Sequence, residues 1–357
     1  MKKFLPGVLA AIAALSVLVL VPTSPALMVD SPKVLYASSV DEWGMASGLV
    51  ITAYSLILAI GTALAIGLTH VLLKKQTSAA DGTFLALVSG GCALCASHWL
   101  FCALRWGYII NDLSETPAFL LTFWKGGYTM YGAILGGLLG AFIFARVRKL
   151  SVPAMMDAML PGAALLVAMG RFGEHFTLQG RGTYVVNEAL SMIPFVTRNE
   201  WGEAQVPVYV YEALAAAAAL IVMLIMLRRG NAASGHAAET GLVIISAAQV
   251  MLDSWRGDEL IRFGFVRLNM ICAAVMLLVL MILRVLRAIK TDGKASTWTT
   301  LRVVLLFLGA GAVLVVEFGL DGKMGIMTDN TLLYAIQTAA VILMGAVTLI
   351  DHKAIKA

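Results

Sequence analysis

The sequence predicts an all-α polytopic membrane protein of about ten transmembrane helices with a small extracytoplasmic head loop. Three observations predict it. Of 357 residues, 60% are hydrophobic and only 13% charged, whereas a soluble domain carries about 25% charged residues. Apolar runs of spanning length, about 20 residues, recur along the chain. Lysines and arginines gather in short clusters between alternate runs, which is the pattern of the positive-inside rule.

The elements follow in order. The first candidate span covers residues 4–22, behind Lys2 and Lys3. Its basic start, apolar run and Ser24-Pro25-Ala26 fit a cleaved signal peptide over residues 1–26, and a retained N-terminal anchor fits equally. Further runs lie near 48–73, 83–104, 127–147, 154–172, 207–228, 239–254, 264–288, 301–319 and 332–351. Those near 154–172 and 239–254 are short and carry ionisable residues at one end, as helices facing a bundle interior do. The runs are continuous rather than alternating, which argues against a β-barrel.

Orientation comes from the basic residues. Lys74 and Lys75, then Arg146, Arg148 and Lys149, then Arg228 and Arg229, then Arg284, Arg287, Lys290 and Lys294 fall on alternate connections. Lys2, Lys3, Lys353 and Lys356 fall on the same side, so the rule puts both termini in the cytoplasm. The net charge of +5 and pI near 9.0 arise from these clusters, which are a topology signal and not a nucleic-acid-binding stripe. The longest opposite connection, about 173–206, contains Gly180, Arg181, Gly182, Asn187, Glu188, Arg198, Glu200 and Trp201. A loop this long is functional or disordered, and its aromatics and aliphatics favour a small packed head. The cysteines, Cys92, Cys95, Cys102 and Cys272, all sit in apolar runs. Cys92 and Cys95 share a helix face, which allows metal or redox use; small packing residues are the plainer reading. The sequence shows no metal-ligand cluster or nucleotide loop, so no cofactor is expected.

Three stretches could carry chemistry. Gly170-Arg171-Phe172-Gly173-Glu174-His175-Phe176 closes a predicted span at its outer end, and Arg181 follows between Gly180 and Gly182. Arginine presents a planar fork of donors suited to phosphate, and glycine lets a backbone approach a ligand closely. Glu174 or His175 could act as acid or base. Snorkelling by the two arginines and a helix-end salt bridge for Glu174 explain the same residues structurally. The second stretch, Trp124-Lys125-Gly126-Gly127-Tyr128-Thr129-Met130-Tyr131-Gly132, runs into Gly136, Gly137 and Gly140. Its glycines suit tight helix contacts, and Tyr128 and Tyr131 suit an interfacial belt. The third is Gln249, Asp253 and Arg256, whose spacings of four and three put them on one helix face. A carboxylate inside a membrane helix is a functional candidate by default; pairing of Asp253 with Arg256 is the alternative.

Together these stretches resemble the bacterial prolipoprotein diacylglyceryl transferase family. GRFGEHF running on to Gly182 is similar to its Gly-Arg-x-Gly-Asn-Phe signature and the glycine that follows. GGYTMYGA resembles its Gly-Gly-x-x-x-His/Tyr-Gly-Gly segment, with Tyr131 at the His/Tyr position. ITAYSLILAIG resembles its first core helix, with Tyr54 at the tyrosine. PVYVYE, with Tyr211 and Glu212, looks like its Pro-x-x-x-Tyr-Glu helix start. QVMLDSWR is similar to its late Arg-Phe-x-x-Glu-x-x-Arg helix, and RGDELIRFGFVRLN resembles the continuation, with Asn269 near a usual glutamine. The resemblance covers about residues 44–290 as a diacylglyceryl-transferase-like membrane core. It leaves two additional C-terminal helices over 300–357 outside.

The departures are specific. Glu174 stands at the signature asparagine and Gln179 at a loop glutamate. Gln249 stands at the late-helix arginine, Asp253 at its glutamate, and Cys95-Ala96-Ser97 where the family has Gly-Ala-Arg. The resemblance implies transfer of the sn-1,2-diacylglyceryl group of phosphatidylglycerol to the lipobox cysteine thiol of preprolipoproteins. The partners would be phosphatidylglycerol, the bilayer and lipobox peptides, with no nucleic acid. The place would be the outer face of the bacterial inner membrane. It further implies catalytic roles for Arg171, Glu174, His175, Tyr131 and Tyr54. Substrate binding would fall to Arg181, Gly182, Gln179, Gln249, Asp253 and Arg256. Two other classes compete. One is a divergent paralogue acting in another lipid-linked transfer, with Glu174 as a new acid or base. The other is a non-catalytic scaffold or lipid-binding protein, since fold alone does not establish function. A transporter would more typically show internal repeats, and no clear repeat is present.

Overall fold

A bilayer offers no water to backbone amides, so a chain this apolar must satisfy them within each segment, and helices do so. A computed structural model describes residues 4–20, 33–73, 81–177, 179–185, 196–198, 202–230, 235–257, 261–292, 297–321 and 330–350. Lys2, Lys3, the Ser24–Ala26 stretch, Lys74, Lys75, Asn187, Glu188, Glu200, Trp201, Lys294, Lys353 and Lys356 lie outside the described residues. Ten α-helices are found among the described residues: α1 Leu5–Leu20, α2 Ala53–Leu73, α3 Asp81–Gly107, α4 Met130–Arg148, α5 Val152–Gly173, α6 Val208–Arg229, α7 His236–Trp255, α8 Leu268–Asp292, α9 Thr297–Leu320 and α10 Asn330–Leu349. Eight are long and apolar enough to cross a membrane; α1 is shorter, and α7, which carries Glu239, Gln249 and Asp253, is not among the eight. The protein is an all-α, multi-pass membrane protein.

Two features depart from the apolar-run reading. The run expected from residue 48 begins as a strand. β1 (Val34–Val40) and β2 (Ala46–Thr52) form an antiparallel hairpin, pairing Ala37 with Val50 and Val40 with Ala46. Its tip is fixed by Asp41, whose Oδ1 accepts the amides of Trp43 at 2.9 Å and Met45 at 2.8 Å, with Gly44 at φ +76°. Such a turn needs an Asx side chain and a residue tolerant of positive φ. Secondly, the 173–206 connection is partly structured: β3 (Thr197–Arg198) pairs with β4 (Ala204–Gln205), and Tyr184 bridges to Gln205. A third short pair, β5 (Arg262–Phe263) and β6 (Val266–Arg267), turns the chain into α8.

The chain divides into two compact units, residues 1–179 with 220–238, and residues 180–219 with 239–357. In the first, the glycine tract of α4 packs against α3. A Cβ on Gly132 would lie 2.7 Å from Ser97 Cα, one on Gly136 2.7 Å from Ala96 Cβ, and one on Gly140 2.6 Å from Ser89 Cα. Spacing by four puts these glycines in one groove, and close backbone approach is what joins helices in lipid. Cys92 serves this contact, its carbonyl abutting Gly136. α2 meets α5 the same way, Gly61 against Met169 and Gly162 against the Ala65 carbonyl. At the ends, Arg148 pairs with Asp81. Asp157 accepts the amides of Gly235 (2.6 Å) and Ala238 (2.8 Å), supplying acceptors to the first turn of α7.

In the second unit, basic residues that the sequence offers as topology markers also hold helices together. Arg284 of α8 donates to the Thr348 and Leu349 carbonyls at 3.0 Å, and Arg302 of α9 to the Val347 carbonyl at 2.7 Å. Both guanidiniums are buried at the C-terminal end of α10, where unpaired carbonyls and the negative helix pole favour a cation. Glu239 of α7 pairs with Arg287 and lies 3.6 Å from Arg284. The opposite end of the same bundle carries Gln249, Asp253 and Arg256.

Candidate active site

The last turn of α5 and the short 3₁₀ turn Glu174–Phe176 carry the first cluster. Arg171 Nη1 donates to Glu174 Oε1 at 2.7 Å, an i,i+3 pair with both side chains largely buried. Arg171 Nη2 reaches Met130 Sδ at 3.9 Å, at the start of α4. Next along α4 is Tyr131, only 2% exposed. Tyr54, in the first turn of α2, packs on Gly173, where a Cβ would stand 3.1 Å from its ring. It is in electrostatic range of both Glu174 and Arg171. Arg171, Glu174 and Tyr54 are therefore together, with the N-terminus of α4 against the arginine. The helix-end salt bridge considered for Glu174 is present. His175 and Gln179 are exposed; the His175 ring stacks edge-on with Phe176, and the backbone N–H of Gln179 donates to Thr177 Oγ1.

The second cluster is built on the end of α7. The extended segment Arg181-Gly182-Thr183 lies along Trp255-Arg256-Gly257, with Thr183 N donating to Trp255 O at 3.0 Å and Gly257 N to Arg181 O at 2.8 Å. Gly182 is wedged between backbones: a Cβ there would be 2.7 Å from Val206 O and 2.8 Å from Trp255 O. Neither atom can move aside as a side chain could, so this position demands glycine. Arg256 is 4% exposed, and its Nη1 donates to both oxygens of Glu212, at 3.1 and 3.2 Å. Gln249 Nε2 bridges Glu212 Oε1 (3.1 Å) and Asp253 Oδ1 (2.8 Å). Among the described residues, Asp253 Oδ2 is buried without a hydrogen-bond partner. Arg267 donates to Arg256 O at 2.5 Å. The outcome is a buried network of two carboxylates, an amide and guanidiniums, in which the Arg256 charge is met by Glu212.

The model of the prolipoprotein diacylglyceryl transferase family matches residues 44–286, more than half of the chain and all of both clusters. The chain belongs to this family. Among curated relatives, the phosphatidylglycerol–prolipoprotein diacylglyceryl transferase of Streptococcus mutans is 27% identical over 244 residues, 67% of this chain and 92% of that protein. The same-named protein of Staphylococcus epidermidis is 24% identical over 249 residues, 66% and 85% of the two chains. That of Lactococcus lactis subsp. cremoris is 25% identical over 254 residues, 68% and 93%.

Set beside the diacylglyceryl transferase motifs, the departures acquire physical content. Glu174, at the signature asparagine, gives Arg171 a full counter-charge. Gln249, at the late-helix arginine, replaces a cation by a neutral bridge. Ser97, at the position of a family arginine, fixes the start of α4 instead: its Oγ donates to Thr129 O at 2.6 Å and accepts Thr129 N at 2.9 Å. His98 beside it was not singled out by the sequence. It is fully buried, with Nδ1 3.1 and 3.0 Å from the Gly126 and Gly127 carbonyls and Nε2 2.9 Å from Phe119 O. It holds the glycine pair that leads to Tyr131. A histidine inside an apolar run was the available signal.

Proposed function

We propose that this chain transfers the sn-1,2-diacylglyceryl group of phosphatidylglycerol to the thiol of a lipobox cysteine in a preprolipoprotein. A C–S bond forms at the glyceryl carbon, the C–O bond to phosphate breaks, and glycerol 1-phosphate departs. The single observation that carries the reading is the family match over 44–286, within which both arginine clusters fall. The lipid phosphate requires fixed cationic donors, because negative charge grows on it as the C–O bond breaks. Arg171, Arg181 and Arg256 supply them. Tyr54 and Tyr131 orient the headgroup, and Gly182 lets the Arg181 segment lie close. Gln179, Gln249 and Asp253 complete the binding surface. The nucleophile is the thiolate, so the thiol proton must be taken up. Glu174 is engaged by Arg171, which leaves His175, exposed at the same turn, as the acceptor.

The reading extends to place and partners. The chain resides in the bacterial plasma membrane with both termini cytoplasmic and the chemistry at the opposite face. Residues 44–290 form the catalytic core and 173–206 its head, while 1–26 and 300–357 are additions. The test is thioether lipid transfer to a lipobox peptide in membranes containing phosphatidylglycerol. Arg171→Ala lowers the rate by about 10²-fold or more, as loss of a preorganised donor does. Normal transfer by that variant overturns the assignment. The carboxylate at 174 and the amide at 249 favour a second reading, transfer from or to a different lipid-linked group. Wild-type protein that turns over phosphatidylglycerol without labelling the peptide supports it.

A further inference from the structure

Helices α9 and α10 lie outside the family match, yet they reach the segment that carries Arg256. Ser254, two residues before it in the last turn of α7, donates its hydroxyl to Glu317 Oε1 of α9. Gln337 of α10 donates Nε2 to Ser254 Oγ at 2.5 Å and to Glu317 Oε1 at 2.9 Å. All three side chains are buried, Gln337 completely. A helical serine ordinarily turns its hydroxyl back to the carbonyl four residues earlier; here it is drawn outward to the added helices. Trp255 is held between Tyr211 of α6 and Tyr334 of α10, both rings edge-on at 5.9 and 6.1 Å. Thr338 of α10 reaches Met251 Sδ at 3.5 Å. The carbonyl of Trp255 is the acceptor for Thr183, and through it for the Arg181 segment.

We propose that Glu317 and Gln337 are positioning residues for the Arg181–Arg256 pair, so that α9 and α10 are a working part of the transferase. The proposal rests on the reading above for its catalytic consequence, and on the hydrogen-bond network alone for its structural one. A carboxylate and an amide in a membrane-spanning pair are expensive to bury and persist where they serve a partner. Their shared partner is one hydroxyl beside a cation. The 181–183 segment is bridged to the end of α7 through Trp255 O and Gly257 N, so a fixture on Ser254 acts on the residues that hold it.

The test uses the full-length protein in phosphatidylglycerol vesicles, comparing Glu317→Leu, Gln337→Leu and the conservative Glu317→Gln, which keeps the oxygen that Ser254 and Gln337 donate to. Hydrogen exchange is read at the Gly182, Thr183 and Gly257 amides, and transfer to a lipobox peptide per folded molecule as kcat and KM. Expected for both leucine variants is faster exchange at those amides and a kcat/KM lowered about tenfold, the order of one lost buried hydrogen bond to a charged group. Glu317→Gln stays within about twofold on both readouts. Unchanged exchange in Glu317→Leu overturns the proposal. So does altered exchange with an unchanged rate per folded molecule. If the wild-type chain itself transfers nothing, the proposed function fails while the exchange result still decides whether α9 and α10 set the Arg181 segment.

Discussion

Arg171 is presented to its surroundings with a carboxylate already against it, 2.7 Å away. An asparagine at 174 would accept the same donor without cancelling the charge. Glu174→Asn is therefore expected to lower KM for phosphatidylglycerol by about two- to fivefold, the order of one ion pair's modest net contribution released to a new anion. Initial rates against lipid concentration check it, and an unchanged or raised KM contradicts the assignment of Arg171 to the headgroup. Gly182 makes a sharper case, since backbone oxygens stand on two sides of any Cβ there. Gly182→Ala must part the Arg181 segment from α7. It is expected to cost roughly 1–3 kcal/mol of stability and to abolish most transfer, read by thermal unfolding in detergent and by the peptide assay. At this scale the sequence was informative about local pairs and silent about distant ones. The 171–174 pair lies within one helical turn and follows from spacing, whereas the sequence offers Arg256 as the partner of Asp253 and its donor at 2.8 Å is Gln249, on the same helix face. The partner of Arg256 does not follow from spacing, because Glu212 is 44 residues away on another helix.

Among elements, most helices were legible because their apolar runs are long enough to fill a bilayer, α1 and α7 being the exceptions. The β1–β2 hairpin was not, because Leu49-Val50-Ile51-Thr52 merges with the apolar run of α2. Only Asp41 and Gly44 mark the turn before it. The glycine spacing of α4 announced a tight contact, and α3 is the helix that receives it. The buried arginines carried a double meaning. Arg284 belongs to a charge cluster that the positive-inside rule uses, while Arg302 sits inside a predicted span, and both cap α10. Arg302→Met strips the Val347 carbonyl of its guanidinium donor and leaves the Thr348 carbonyl to Arg284. The expected loss is about 1–3 kcal/mol, seen as a lower unfolding midpoint with α10 exchanging first. An unmoved midpoint would deny the capping role.

For the whole molecule, the helical membrane class follows from composition, and membership of the transferase family follows from a match that spans both arginine clusters. What composition could not convey is how the additions at the C-terminus are used, since their polar residues Glu317 and Gln337 gain meaning only from Ser254. The central claim is that the chain lipidates prolipoproteins despite its altered residues at 174, 249 and 253. Complementation of a bacterial strain depleted of its own diacylglyceryl transferase tests it most directly, with thioether-linked lipid on a reporter lipoprotein as the readout. The account predicts that the wild-type chain restores growth and lipidation while Arg171→Ala does not. Failure by wild-type protein that is present and inserted in the membrane would contradict it.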